Sequence, residues 1–126
     1  MPSQTPARVP SALDALANQY VDDLTAKDPF LATSLGVPGH DAEVTDHSPA
    51  AQAERTGLAR ELLAAISEVP DADEVDAVTR AALQERLGLE LERDAQHLDI
   101  AAVNNLASVL QSRDVLDQMP TETAED

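Results

Sequence analysis

The chain has 126 residues, the length of one domain or of part of one, and 43% of them are apolar. Its 24 acidic and 8 basic residues give a net charge of −16. Nucleic acid and anionic lipid are bound through clustered lysine and arginine, so this balance excludes both as partners. Cysteine does not occur, which leaves histidine and carboxylates as the candidate metal ligands.

The N-terminal residues contain three prolines, one arginine and no apolar core, unlike a secretory signal. Nowhere does an apolar run approach the roughly 18 residues that a membrane span requires. We therefore expect residues 1–10 to form a flexible lead-in and residues 11–126 to form a helical unit. The expected location is the cytoplasm.

Two start signals predict the first two helices. Ser11 can cap the first helix, with Asp14 in position to complete a capping box. The second is predicted over Pro29–Leu35, because Asp28 precedes a proline and Gly36 suits a left-handed C-cap. The first helix carries an apolar stripe at helical spacing: Leu13, Leu16, Tyr20 and Leu24.

The segment of residues 36–48 is rich in glycine and histidine, contains a proline, and predicts a loop. A helix from Pro49 to about Val69 follows it, with Ser48 as its cap and a proline after its last residue. The apolar stripe of this helix comprises Leu58, Leu62, Ile66 and Val69.

The longest helix is predicted from Glu74 to His97. Asp73, with Asp76 three residues later, caps its start, and Asp76 is also spaced to pair with Arg80. Gly88 in its middle costs roughly 1 kcal/mol relative to alanine and is compatible with a close helix crossing. The predicted apolar face comprises Val75, Val78, Ala82, Leu83, Leu87, Leu91 and Leu98.

Beyond residue 99 the periodicity weakens, although Leu106, Leu110 and Met119 are compatible with a further helix. The last six residues, TETAED, have the composition of a helix start. We therefore expect an exposed apolar patch on residues 103–119, where a following helix would pack. These elements predict an all-α fold, an irregular or up-and-down bundle of four to five helices that is incomplete as given.

The sequence contains no Gly-x-Ser-x-Gly frame, no glycine-rich phosphate loop and no His-Glu-x-x-His motif, so no catalytic residue is assigned. Two histidine–aspartate pairs in the loop are the candidate metal ligands: His40, Asp41, Asp46 and His47. Imidazole and carboxylate suit metal binding, but both are also common in loops, and Asp46 can cap the following helix. The interpretation as ordinary loop residues, with Asp46 as a cap, is favoured over a metal site.

Two other polar groups allow two interpretations each. Glu90, Asp94 and His97 share one helix face and resemble half of a di-metal site, but a solvated face is favoured because no second copy occurs. A polar cluster within residues 104–113 could bind a carboxylate ligand, although a turn before an exposed helix start is favoured. Its members are Asn104, Asn105, Gln111, Ser112 and Arg113.

Several strings resemble, in order and spacing, the N-terminal region of a bacterial family known as a domain of unknown function. They are YVDDLTAKDPFLATSLGVPGHD, TDHSP, DEVDAVTRAALQERLGLELE, NNLAS and RDVLDQMPTETAED. The resemblance covers roughly residues 13–126. It implies an all-helical protein, much longer than this chain, that is similar to gluzincin-type zinc metallopeptidases of the carboxypeptidase kind.

The zinc site implied by the resemblance lies in a His-Glu-x-x-His helix far downstream, and no residue here matches it. We therefore expect no cofactor in this chain, the remainder of its own polypeptide as its partner, and a peptide as the substrate of the whole protein. The family pattern has a proline after Ser108 and one more residue before Arg113, and this chain lacks both. A one-residue deletion rotates the helical residues that follow, including Asp117, by about 100°.

These features predict the N-terminal helical scaffold of a metallopeptidase-like protein, inactive by itself. The alternative is a stand-alone acidic module that binds a partner protein through its leucine and alanine faces. A small metal-binding bundle that uses His40, His47 and His97 is the third interpretation.

Overall fold

The computed structural model describes residues 8–101 and 113–120, and within these ranges every regular element is a helix. The all-α prediction is confirmed. Four of the helices exceed a single turn, and two consist of four residues each. They are α1 (Ala12–Lys27), α2 (Pro29–Leu35), α3 (Pro49–Glu68), α4 (Glu74–Ala95), α5 (Leu98–Ala101) and α6 (Arg113–Leu116).

Local capping sets the bounds of α1 and α2, as predicted. The Ser11 hydroxyl accepts a hydrogen bond from the Asp14 backbone N–H (3.1 Å), and the Ser11 N–H donates to the Asp14 carboxylate (2.8 Å). At the start of α2, the Asp28 carboxylate accepts from the Leu31 N–H (3.1 Å). Gly36 ends α2 with a φ of 72°, a left-handed conformation that glycine adopts without steric cost.

The helices α3 and α4 also start at their predicted caps. The Ser48 hydroxyl accepts from the Ala51 N–H (3.2 Å), and the Asp73 carboxylate accepts from the Asp76 N–H (2.9 Å). The end of α4 falls earlier than predicted, because His97 has a φ of 55°, which lies outside the right-handed helical region.

The long helices α1, α3 and α4 form an up-down-up bundle. At one end, the Ser11 hydroxyl before α1 donates to Asp76 of α4 (2.8 Å), so these two helices start side by side. Toward the other end, Arg60 in α3 lies 3.6 Å from Asp94 near the C-terminus of α4, as an antiparallel pair requires. The short helix α2 packs on α1, α5 on α4, and α6 on α2.

The hydrophobic core lies between the three long helices. Its buried members are Leu13, Ala59, Leu62, Ile66 and Leu87. Half-buried side chains surround them: Leu16, Tyr20, Leu63, Leu83 and Leu91. Leu24, Leu58 and Val69 are half-buried as well, so the apolar stripes of α1 and α3 face inward as predicted.

The predicted apolar face of α4 is wrong in four of its seven members. These four are exposed: Val75, Val78, Ala82 and Leu98. The other three face the core: Leu83, Leu87 and Leu91. Asp76 shares the inward face and is fully buried by polar contacts described below. Because residues on a helix are fixed relative to one another, an inward Asp76 turns Val75 and Val78 toward solvent.

Gly88 of α4 lies in open space, since a Cβ atom built there would meet no other atom within 4 Å. The close helix crossing suggested by the sequence is therefore wrong. The described helices include none that is long and apolar enough to cross a membrane.

The predicted helix around Leu106 and Leu110 lies outside the described residues, as does the helix start in residues 121–126. The same holds for the centre of the expected apolar patch. Its last member, Met119, is described and is half-buried.

Candidate functional site

Two of the four candidate loop ligands, Asp46 and His47, lie where the loop enters α3. The Asp46 carboxylate accepts a hydrogen bond from the Ser48 N–H (2.7 Å), and this bond is the main cause that lowers the pKa of Asp46. The ring of His47 lies against Phe30, with 6.3 Å between ring centroids and 48° between their planes. Asp46 thus supports the start of α3, as the favoured interpretation expects.

The other two candidates, His40 and Asp41, lie in the first half of the loop. The Nδ1 atom of His40 is 3.0 Å from the carboxylate of Glu43, and Asp41 is exposed. Over residues 8–101 and 113–120, no group of three histidine or acidic side chains is arranged to hold a metal ion.

The acidic side chains on the last turns of α4 are less solvated than expected. Glu90 and Asp94 are half-buried, and Asp94 pairs with Arg60 of α3. Glu90 faces α1, where burial first and the Glu90 charge second raise the pKa of Tyr20 to about 12. The solvated-face prediction is therefore wrong for both carboxylates, whereas His97 is exposed beyond the helix end.

Of the polar cluster predicted near the C-terminus, only Arg113 falls within the described residues. It is exposed and lies 3.4 Å from Asp114, the next residue. The other four members lie outside the described residues: Asn104, Asn105, Gln111 and Ser112.

A polar network that the sequence analysis did not identify fastens the loop of residues 36–48 to the bundle. Thr45 is buried, and its hydroxyl donates to the Asp28 carboxylate (2.5 Å) and accepts from the Phe30 N–H (2.9 Å). Asp28 is the cap of α2. One threonine therefore joins the loop to the start of α2 through two hydrogen bonds.

Arg55 of α3 completes this network. Its guanidinium is buried and donates to the backbone carbonyls of Lys27 (3.3 Å) and Asp46 (2.9 Å) and to the side chain of Gln52 (3.0 Å). The carbonyl of Lys27 belongs to the last turn of α1, where such groups lack a partner within the helix. Arg55 therefore connects the end of α1, the end of the loop and α3.

A second network, which we call the N-terminal clasp, joins the starts of α1 and α4. Its members are Arg8, Ser11, Asp14, Asp73 and Asp76. The Arg8 guanidinium donates to Asp73 (2.6 Å) and also binds Asp14 and Asp76. The bond to Asp73 raises the pKa of Arg8 and lowers that of Asp73, while the Ser11 N–H is the main cause that lowers the pKa of Asp14.

Asp76 is the buried centre of the clasp, with no exposed surface. Besides Arg8, its carboxylate accepts from the Ser11 hydroxyl and from the Ala72 N–H, each at 2.8 Å. Burying a carboxylate is costly unless it is paired and hydrogen-bonded, and three donors meet that requirement here.

Arg80 does not form the predicted pair with Asp76 but turns toward the end of α3. Its Nε donates to Asp71 (2.7 Å), and its terminal nitrogens donate to the carbonyls of Ile66 and Val69. The last carbonyls of a helix lack helical partners, so Arg80 caps α3 from the neighbouring helix.

A groove of about 170 Å³ lies between α1 and α3. We call it the α1–α3 groove. Its apolar part comprises Leu16, Tyr20, Leu58, Leu62 and Ala65. Its polar part comprises Gln19, Asp23 and Glu61. An apolar surface beside two carboxylates suits a ligand with an apolar body and a cationic end.

The fold and these contacts define a helical bundle with polar networks at both ends. A protein-family model described as "Bacterial protein of unknown function (DUF885)" matches residues 29–126. The chain belongs to this bacterial family, which confirms the resemblance noted in the sequence at the level of the family. No curated protein matches the chain.

Proposed function

We propose that this chain is the N-terminal helical scaffold of a larger, zinc-metallopeptidase-like protein and performs no chemistry by itself. Membership of the bacterial family supports the proposal, together with the resemblance of its sequence strings to those of long all-helical proteins. The zinc site and general base would lie downstream, and the substrate of the whole protein would be a peptide. The proposed location is the cytoplasm.

The observation that carries the proposal is the two-sided apolar character of α4. Leu83 and Leu87 pack on the core, whereas the opposite side carries three exposed residues that we call the outer stripe. These are Val75, Val78 and Leu89, which are 50%, 70% and 51% exposed. A helix that is apolar on both sides is typical of a position between two packed layers in a larger protein.

The polar contacts at the end of the bundle where α1 and α4 begin support a scaffold role. The N-terminal clasp fixes the start of α4 against α1, and Arg80 fixes α4 against the end of α3. An interface built on helices held in this way is more precisely positioned than one built on loops. The outer stripe is therefore presented on a firmly held element.

The test is a substitution that the 126-residue chain tolerates and the longer polypeptide does not. Val78→Asp should change the free energy of unfolding of this chain by no more than about 0.5 kcal/mol, because the side chain is 70% exposed. In the longer polypeptide that we propose, the same change would bury an unpaired charge. We expect a loss of several kcal/mol there, measured by denaturant unfolding.

Ala53→Asp is the matched control, because it adds the same charge to an exposed position of α3. It should be tolerated in both proteins. The scaffold proposal fails if Val78→Asp is equally harmless in the longer protein, or if the gene stops after Asp126. Either result would favour the stand-alone interaction module, whereas a downstream His-Glu-x-x-His motif would support the proposal.

A further inference from the structure

The α1–α3 groove carries negative charge that the described residues around it do not balance. Two of its eight lining residues are acidic and none is basic. Asp23 accepts a hydrogen bond from the neutral amide of Gln19 (2.9 Å), and Glu61 is exposed. Both carboxylates line the groove together with its apolar side chains.

The basic side chains on the neighbouring turns bind elsewhere. Arg60, adjacent to Glu61 in the chain, points to Asp94 of α4. Lys27 lies 2.7 Å from Glu54. Arg55, one and a half turns earlier on α3, is committed to carbonyl groups at the end of α1 and in the loop. The groove is thus open to a cation from outside.

The size of the groove indicates what kind of ligand it can take. Pockets for metabolites and drug-sized ligands occupy about 300–1,000 Å³, and the α1–α3 groove has about 170 Å³. A groove below that range suits a side chain that projects from a larger partner. Lysine and arginine lay an apolar stem along apolar surface while the charged head reaches a polar edge.

We propose that the α1–α3 groove is a docking site for a basic segment of a second protein, which inserts an arginine or lysine side chain. The stem of that side chain would pack on Leu16, Leu58 and Tyr20, and its charged head would pair with Asp23 and Glu61. Charge complementarity with a chain of net charge −16 accelerates such an encounter. Docking here needs no other part of the polypeptide and is independent of the scaffold role.

The test uses the 126-residue chain and a fluorescein-labelled amphipathic peptide of leucine and arginine. A peptide with citrulline in place of arginine has the same shape without the charge and is the ligand control. We expect the arginine peptide to bind, with weaker binding as salt increases and for the citrulline peptide, both measured by fluorescence anisotropy. Amide chemical shifts should change at Leu16, Tyr20 and Leu58.

Asp23→Asn and Glu61→Gln should each weaken binding about two- to five-fold, as expected for a partly exposed ion pair, and the double variant that combines them should weaken it further. The matched control is Glu85→Gln with Glu92→Gln, which removes the same charge from exposed positions of α4. Retained affinity in this control supports a local site. Equal weakening of binding in both double variants would mean that only the diffuse negative charge attracts the peptide, and it would overturn the proposal. Amide chemical-shift changes confined to the outer stripe, or no binding of the arginine peptide, would overturn it as well.

Discussion

Arg8 and Asp76 lie 68 positions apart in the chain and form an ion pair where α1 and α4 begin. The Asp76 side chain is fully buried, whereas that of Arg8 is 31% exposed. The pair therefore holds a residue of the N-terminal lead-in against the bundle. Its carboxylate also anchors the cap of α1 and the turn before α4.

The first prediction concerns the buried carboxylate of the clasp. Asp76→Ala should lower the free energy of unfolding by about 3 kcal/mol, because it leaves the Ser11 hydroxyl, the Ala72 N–H and Arg8 without their acceptor. Denaturant unfolding measures the loss. Glu85→Ala, at an exposed position of the same helix, should cost no more than about 0.5 kcal/mol. Equal losses in both variants would contradict a buried role for Asp76.

The second prediction is a dependence of stability on acid. The folded-state pKa values of Asp14 and Asp73 lie below the ordinary value of 3.8, so their stabilising contribution is present above that pH. It is lost as the pH falls through the depressed values, because the unfolded state then binds more protons. Arg8→Gln should make the loss of stability in acid smaller. The effect should come chiefly from Asp73, because its hydrogen bond to Arg8 is the main cause that lowers its pKa. The measurement is the free energy of unfolding from neutral to strongly acidic pH. If Arg8 did not bind these carboxylates, the slope of that free energy against pH would be the same in Arg8→Gln and in the unmodified protein.

The third prediction uses the single tyrosine of the chain. The Tyr20 hydroxyl should ionise near pH 12 in the folded protein instead of near 10.0, because burial and the Glu90 charge disfavour the phenolate. This raised pKa stabilises the fold below about pH 10, and the benefit is lost as the pH rises toward 12. Phenolate absorbance gives the midpoint, with denatured protein as the reference. Glu90→Gln should lower the folded-state pKa, and coincident folded and denatured titrations would refute the packing of Tyr20.

The fourth prediction contrasts two glycines. Gly88→Ala should stabilise the protein by about 1 kcal/mol, since the added methyl group meets open space in the middle of α4. Gly36→Ala should destabilise it by about 1–2 kcal/mol, because the φ of 72° is unfavourable for alanine. Thermal and denaturant unfolding of both variants show whether each substitution raises or lowers the free energy of unfolding. A destabilising Gly88→Ala would mean that α4 does cross another helix closely there.

The sequence predicts the helices well because their signals are local. The capping box of Ser11 and Asp14 and the left-handed end at Gly36 join residues a few positions apart. Side-chain chemistry at fixed spacing is enough to recognise them. The chain therefore reveals the starts of α1 to α4 and the end of α2 without tertiary information.

The polar networks could not be predicted in the same way. Arg8 binds Asp76 across 68 positions, and Arg55 reaches Lys27 across 28, so neither pair has a local signal. The predicted inward face of α4 is wrong for the same reason. Apolar periodicity alone does not indicate that Asp76 faces inward while Val75 and Val78 face solvent. An arginine near otherwise uncapped helix ends is the one hint that the sequence offered.

We propose that this chain supports catalysis without performing it. The most direct measurement compares zinc-dependent hydrolysis of a peptide library by the purified 126-residue chain and by the full polypeptide that its gene encodes. We expect cleavage by the full polypeptide and none by this chain, with or without added zinc. Zinc-dependent cleavage by this chain alone, abolished when His40, His47 and His97 are replaced by alanine, would contradict it.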